Sequence, residues 1–247
     1  MKNISIAFAA PSLTIPLGYH HQVQGLIYTL LRLGGGEEVH DERPDFGHRQ
    51  YKLFTFSSLR GGKVSADRRS LRFERTAYLD VRSVRTELCD ALLKGLRSDA
   101  PLVLFGKPIT VSSIKTSDAP ILENSLRIKM LSPLTVHRTV GNGYTEYLNP
   151  LDSDFAEEIN ANFERKYYAF YGAEPSARIA IRAESVSARD KYLTLYKKAG
   201  NAGGRDLYIS GWRGEYELRS SPEHLTFLYY CGLGARNSDG FGMFEQV

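Results

Sequence analysis

The chain has 247 residues, with 32 Lys+Arg against 28 Asp+Glu, a formal net charge of +4 and 42% hydrophobic residues. That length suits one large domain or two small ones, and the composition excludes a disordered or low-complexity chain. So mild a charge does not make a nucleic-acid binder by itself, and any such site must come from local clustering.

Apolar alternation at Ile4, Ile6 and Phe8 predicts a strand, and helical period over residues 19–33 predicts the helix that follows. Residues 51–59 read as a strand, Arg60-Gly61-Gly62-Lys63 as part of a connection, and residues 70–81 as the antiparallel partner. Val84, Leu88, Ala91, Leu92 and Leu96 keep helical spacing, and residues 102–105 with 109–114 return to strand. The order βαββαβ is the ferredoxin-like plan. After Pro120 the pattern begins again, with a strand at 126–131, a helix over 154–171, alternation at Ile179, Ile181 and Ala183, and a strand within 207–218. Ser220-Ser221-Pro222-Glu223 carries a capping-box spacing with an early proline, which opens a last helix through Leu225, Leu228 and Cys231. Residues 241–244 would close the sheet. The expectation is an α+β chain of two tandem ferredoxin-like (RRM-like) domains, 1–118 and 121–247.

Cys89 and Cys231 each fall inside an expected helix, without a CxxC pair or metal-ligand spacing, so both read as buried free thiols of a cytoplasmic protein. No run of about eighteen apolar residues predicts a membrane span. The sequence also lacks GxxxxGK[ST], HExxH and the three-glycine dinucleotide fingerprint, so neither a nucleotide cofactor nor a metal is expected.

The most informative stretch is Gly232-Leu233-Gly234-Ala235-Arg236-Asn237-Ser238-Asp239-Gly240-Phe241-Gly242, which places four glycines in one short segment. A chain uses glycine where φ must be positive or where another group must approach the backbone closely. Arg236, Asn237 and Ser238 between them supply a fixed cation and small hydrogen-bonding groups, and the backbone NH groups are suited to cradle a phosphate. A helix stop followed by a tight turn is the plainer alternative. On the first helix, Val23, Leu26, Ile27, Leu30 and Leu31 share an apolar stripe, while His21, Gly25, Tyr28 and Arg32 lie opposite. The wheel alone makes Tyr28 a surface tyrosine beside a tolerated glycine.

The glycine segment fits the pattern G-φ-G-x-[KR]-N-S-x-G-F-G at every specified position. It resembles the glycine-rich loop of the repeat-associated RNA-binding superfamily (RAMP) of CRISPR systems, and most of all the Cas six endoribonucleases. Gln24-Gly25-Leu26-Ile27-Tyr28, His40-Asp41 and Lys52-Leu53-Phe54-Thr55-Phe56-Ser57 follow that family's order along the chain. The resemblance implies the same tandem fold, and its catalytic tyrosine, histidine and lysine map onto Tyr28, His40 and Lys52. The implied RNA-binding residues are Gly232, Gly234, Arg236, Asn237, Ser238, Gly240 and Gly242. The implied activity is metal-independent cleavage of CRISPR repeat RNA in the precursor transcript. The RNA's own 2′-hydroxyl attacks the adjacent phosphate, leaving 2′,3′-cyclic phosphate and 5′-hydroxyl ends. A histidine, with an ordinary pKa of about 6.5, can take or give the proton, and a lysine can offset the growing phosphorane charge. Which of Tyr28 and His40 is base and which acid stays open. The implied partners are CRISPR repeat RNA, as precursor and as mature guide, with a multi-subunit effector complex as an open further partner. Monomer and homodimer both stay open.

Other residues compete. His48 shares the loop of His40 and is its reserve, whereas His20 and His21 open the first helix as solvated or packing residues, and His137 and His224 read as structural. Arg60, Lys63, Arg68, Arg69, Arg72 and Arg75 form either an RNA backbone track or a solvated hairpin. Two other functions fit the fold: a non-catalytic guide-RNA-binding subunit of an effector complex, and a ferredoxin-like module for small molecules or proteins. The trio Tyr28, His40 and Lys52 favours the enzyme.

Overall fold

A computed structural model of the chain describes residues 1–36, 45–46, 49–119, 123–141, 143–197 and 206–247. The first half runs β1 (Lys2–Ala9), β2 (Leu13–Pro16), α1 (His20–Leu33), β3 (Asp45–Phe46), β4 (Arg49–Gln50), β5 (Phe54–Phe56), β6 (Lys63–Val64), β7 (Ser70–Phe73), β8 (Thr76–Ser83), α2 (Thr86–Leu96), β9 (Leu102–Leu104) and β10 (Lys107–Ser117). Its main sheet is antiparallel in the order β5-β8-β1-β10-β9, which is the ferredoxin-like arrangement with β9 added at one edge. The second half runs β11 (Ser125–Met130), β12 (His137–Val140), β13 (Tyr144–Tyr147), α3 (Phe155–Tyr171), β14 (Ala180–Ser185), β15 (Lys191–Lys197), β16 (Leu207–Trp212), β17 (Glu215–Arg219), α4 (Pro222–Cys231) and β18 (Phe244–Gln246). Its sheet, β14-β17-β11-β18, repeats the same order. No helix among the described residues is long and apolar enough to cross a membrane.

Several expected elements are shorter than their periodicity suggests, each for a local reason. The strand expected over 51–59 is only β5, because Leu53 takes a left-handed conformation (φ 52°) that ends extended pairing. The strand expected over 70–81 is two, since β7 pairs with β2 and β6 while β8 pairs with β1 and β5 in another sheet. Gly214, at φ 102°, divides β16 from β17. The last strand begins at Phe244, and residues 241–243 belong to the preceding loop. The hairpins β12–β13 and β15–β16 are insertions within the ferredoxin-like plan of the second half.

The two halves are built around different cores, with Leu53 and Val84 of the first half packing into the second. Ile4, Ile6 and Phe8 of β1 meet Val23, Ile27 and Leu30 of α1 in the first, and Leu126 and Ile128 of β11 meet Ile159 and Phe163 of α3 in the second. At about 25 cal/mol per Å² of apolar surface removed from water, these two cores supply the main driving force for folding. Cys89 and Cys231 are buried free thiols, and burial pushes the Cys231 thiol up to about 11.

Polar groups join the halves. The Arg82 guanidinium on β8 donates to the Phe244 carbonyl and lies 3.7 Å from the Tyr229 ring centroid. The Thr55 hydroxyl on β5 donates to the Phe241 carbonyl at 3.0 Å. The His20 ring stacks between Tyr19 at 4.8 Å and Phe241 at 5.0 Å, so it is a packing residue rather than a solvated one.

Burial drives the His20 pKa from 6.5 down to about 3, with the Arg213 charge adding to the shift. The folded state therefore refuses a proton that the unfolded chain accepts throughout that window. The stability contributed by a neutral ring is complete above pH 6.5 and is lost as pH falls toward 3. Urea unfolding from about pH 7 to about pH 4 should show the wild type losing about 1.4 kcal/mol per pH unit more than His20→Leu below the upper limit. A pH-independent difference between the two proteins would contradict a buried neutral His20.

Candidate active site

The segment from Cys231 to Phe244 leaves α4, turns under β5 and enters β18. Gly232, Gly234, Gly240 and Gly242 all have positive φ, from 67° to 91°. All four also permit close approach, most tightly Gly242 and Gly240. A Cβ on Gly242 would lie 1.9 Å from the Leu233 carbonyl oxygen, and one on Gly240 would lie 2.4 Å from the Phe56 ring. Arg236 takes the left-handed conformation at φ 57° and precedes a single 3-10 turn, Asn237–Asp239. The amides of Leu233, Ala235, Asp239, Gly240 and Gly242 donate to backbone carbonyls. Those of Arg236, Asn237 and Ser238 have no acceptor among the described residues, so three consecutive donors stand at the apex.

The interior of this loop is filled by side chains. Asn237 is buried, and its amide nitrogen donates to the Leu233 and Phe241 carbonyls at 2.9 and 3.1 Å. Its Oδ1 accepts from Lys166 Nζ at 2.9 Å, and the same ammonium donates to the carbonyls of Gly232 at 2.6 Å and Gly234 at 3.0 Å. Lys166 is only 3% exposed. Burial pushes its ammonium below the usual lysine range, the Cys231 sulfur opposes that shift and Arg165 adds to it. The Asn237 side chain thus faces into the protein, while its backbone amide belongs to the apex.

A cleft of about 130 Å³ opens between the apex and the segment leading into β5. Its lining includes Lys52 and Leu53, the loop residues Arg236, Asn237 and Ser238, and Asn162 and Lys166 of α3. The left-handed turn at Leu53 sends that side chain into the second core, so Lys52 lies in the connection and not in a strand. The Lys52 ammonium donates to the Tyr28 hydroxyl and lies 4.6 Å from the centroid of that ring. Tyr28 is half-buried and packs edge-on against Phe54 at 6.1 Å. It is therefore not the solvated tyrosine that the helical wheel suggests.

The structure brings together Tyr28, Lys52 and the loop residues Arg236, Asn237 and Ser238, with the four glycines shaping the loop. His40 and the reserve His48 lie outside the described residues. His224 is fully buried, with Nδ1 3.1 Å from the Ser220 hydroxyl, in a structural setting. His137 lines a smaller hollow on the other side of Gly234 and Ala235. In the basic hairpin Arg60 pairs with Asp80 and Lys63 with Glu74, while Arg68, Arg69, Arg72 and Arg75 are exposed.

Residues 115–246 match the family model for the C-terminal region of the CRISPR-associated protein Cas6. The chain belongs to the Cas6 family. A CRISPR-associated endoribonuclease Cas6 of Methanocaldococcus jannaschii is 27% identical over 242 residues, 94% of this chain and 87% of its own length. The Cas6 endoribonuclease of Pyrococcus furiosus is 24% identical over 234 residues, spanning 93% and 82% of the two chains. A solved structure described as an RAMP protein binding different RNA substrates superposes with a TM-score of 0.82 at 19% identity and covers 100% of each chain. That likeness concerns the fold, and the tandem ferredoxin-like architecture of this Cas6 protein agrees with it. The resemblance first seen in the glycine segment therefore holds for the whole chain.

Sequence reasoning missed Lys166 and Tyr196, and named Gln24 only as part of a motif, without a role. Lys166 had a signal: it falls on the stripe of Ile159, Phe163 and Tyr167, where a charged residue is out of place unless it has buried partners. Lys166→Met keeps the length and apolar stem but leaves the two carbonyls and the Asn237 oxygen without their donor. Denaturant unfolding should show a loss of about 3 kcal/mol, the order expected for orphaned buried acceptors. Undiminished stability would show that the loop stands without this ammonium.

Proposed function

We propose that this Cas6 protein is a metal-independent endoribonuclease that cleaves CRISPR repeat RNA in the precursor transcript to release mature guide RNAs. The RNA's 2′-hydroxyl attacks the neighbouring phosphate, the bond to the 5′-oxygen breaks, and the products carry 2′,3′-cyclic phosphate and 5′-hydroxyl ends. The observation that carries this reading is that Lys52 both contacts Tyr28 and lines the same cleft as Arg236, Asn237 and Ser238. A phosphate in that cleft would have the Lys52 cation and the three apex amides as candidate partners. Lys52 then offsets charge that grows only in the transition state, which is the kind of interaction that lowers a barrier.

Tyr28 and His40 share the two proton transfers in this proposal, one at the nucleophile and one at the leaving 5′-oxygen. The Tyr28 hydroxyl accepts from the Lys52 ammonium, which holds it beside the cation that lines the cleft. Gly232, Gly234, Gly240 and Gly242 act indirectly, by giving the backbone the path that presents the amides. The two folding units are 1–118 and 121–247, and the cleft needs both, since Tyr28 and Lys52 belong to the first and the loop to the second.

The test is cleavage of repeat RNA in EDTA. The wild type should cut at one position, and an RNA with a 2′-deoxy sugar there should resist. Lys52→Ala should lower the single-turnover rate about 10²- to 10³-fold, and His40→Ala about 10²- to 10⁴-fold, with binding retained. Tight binding without cutting would instead assign the protein a guide-holding role.

A further inference from the structure

We infer that Gln24 is a positioning residue for cleavage, because its side-chain amide fixes the apex of the glycine loop against the helix that carries Tyr28. The inference rests on the nuclease reading above. Gln24 stands one helical turn before Tyr28 on α1, so the two side chains project from neighbouring positions on one face. It is buried, 9% exposed, and each polar atom of its side chain is bonded. Nε2 donates to the Ser238 carbonyl at 2.8 Å and to Asp239 Oδ1 at 2.7 Å. Oε1 accepts from the Tyr196 hydroxyl at 2.7 Å. Only one orientation of the amide satisfies all three contacts.

The Asp239 carboxylate also accepts from Arg236 at 3.3 Å, so the contact reaches the cation on the cleft wall. Ser238, whose carbonyl Gln24 holds, lines the same cleft as Lys52. Lys52 in turn touches Tyr28 on the helix that carries Gln24. The circuit is closed: α1 sets Tyr28, Tyr28 meets Lys52, and Gln24 sets the distance from both to the three apex amides. Lys166 holds the base of the loop from the opposite side, and Gln24 holds the apex. Tyr196 on β15 orients the amide and so acts through Gln24.

The position of the apex decides whether cation and amides act on one phosphate, and displacement of about 1 Å can cost about 10²-fold in rate. Gln24→Glu preserves shape but turns a carboxylate oxygen toward the Ser238 carbonyl and Asp239. Single-turnover cleavage of repeat RNA should fall about 10²-fold, while affinity for the 2′-deoxy repeat RNA stays within about threefold of wild type. Tyr196→Phe, which deletes one hydroxyl, should cut several-fold more slowly at unchanged affinity. Adding it to Gln24→Met should slow that variant no further, as expected of residues acting through one contact. Wild-type rates in Gln24→Glu or Tyr196→Phe, or rate and affinity falling in proportion, would overturn the inference while wild-type cutting leaves the nuclease reading in place. A wild-type protein that binds and never cuts would overturn both.

Discussion

The ammonium of Lys166, enclosed by the carbonyls of Gly232 and Gly234 and the side-chain oxygen of Asn237, is the interaction on which the candidate site rests. Those carbonyls belong to a backbone that leaves α4 through left-handed turns and so cannot satisfy them with ordinary helical or strand hydrogen bonds. Burying an ammonium costs several kcal/mol, and three charge-assisted bonds of roughly 1.5–3 kcal/mol each oppose that cost. Because its partners are neutral oxygens, the lysine shapes the loop while the amides of Arg236, Asn237 and Ser238 stay without an acceptor among the described residues.

The second constraint is close packing around the glycines. Gly240 lies against Phe56 and His20, and Gly242 against Leu233, so the loop fits only when β5 and α1 occupy their observed places. Thr55 bonding to the Phe241 carbonyl and Arg82 bonding to the Phe244 carbonyl fix the same relation from the first sheet. A cleft whose walls come from two cores is thereby held at a set width, and a preorganised electrostatic site requires that rigidity.

Much of this was legible in the sequence where one residue type has one physical use. Four glycines around Arg-Asn-Ser announced an unusual backbone, and all four have positive φ. The first βαββαβ order followed from periodicity and the second from periodicity together with the family resemblance, and both sheets have that topology. What periodicity does not carry is the sign of φ at a leucine. Residues 51–59 alternate like a strand, yet Leu53 turns left-handed, which moves Lys52 out of a strand and into the cleft wall. Nor does it reveal which polar residue on a helix faces inward, because partners for Lys166 and Gln24 come from a loop 66 and 214 positions away. The β12–β13 hairpin stayed hidden because its strands are half-exposed on both faces and show no clear alternation.

The central spatial claim is that a phosphate of the RNA sits between Lys52 and the loop apex. A crystal structure of the protein with repeat RNA carrying a 2′-deoxy sugar at the cut site tests it directly. The scissile phosphate is expected within hydrogen-bond reach of the Lys52 ammonium and of amides among Arg236, Asn237 and Ser238, with Tyr28 beside one of the reacting oxygens. A scissile phosphate bound elsewhere on the surface, with this cleft empty of RNA, would contradict it.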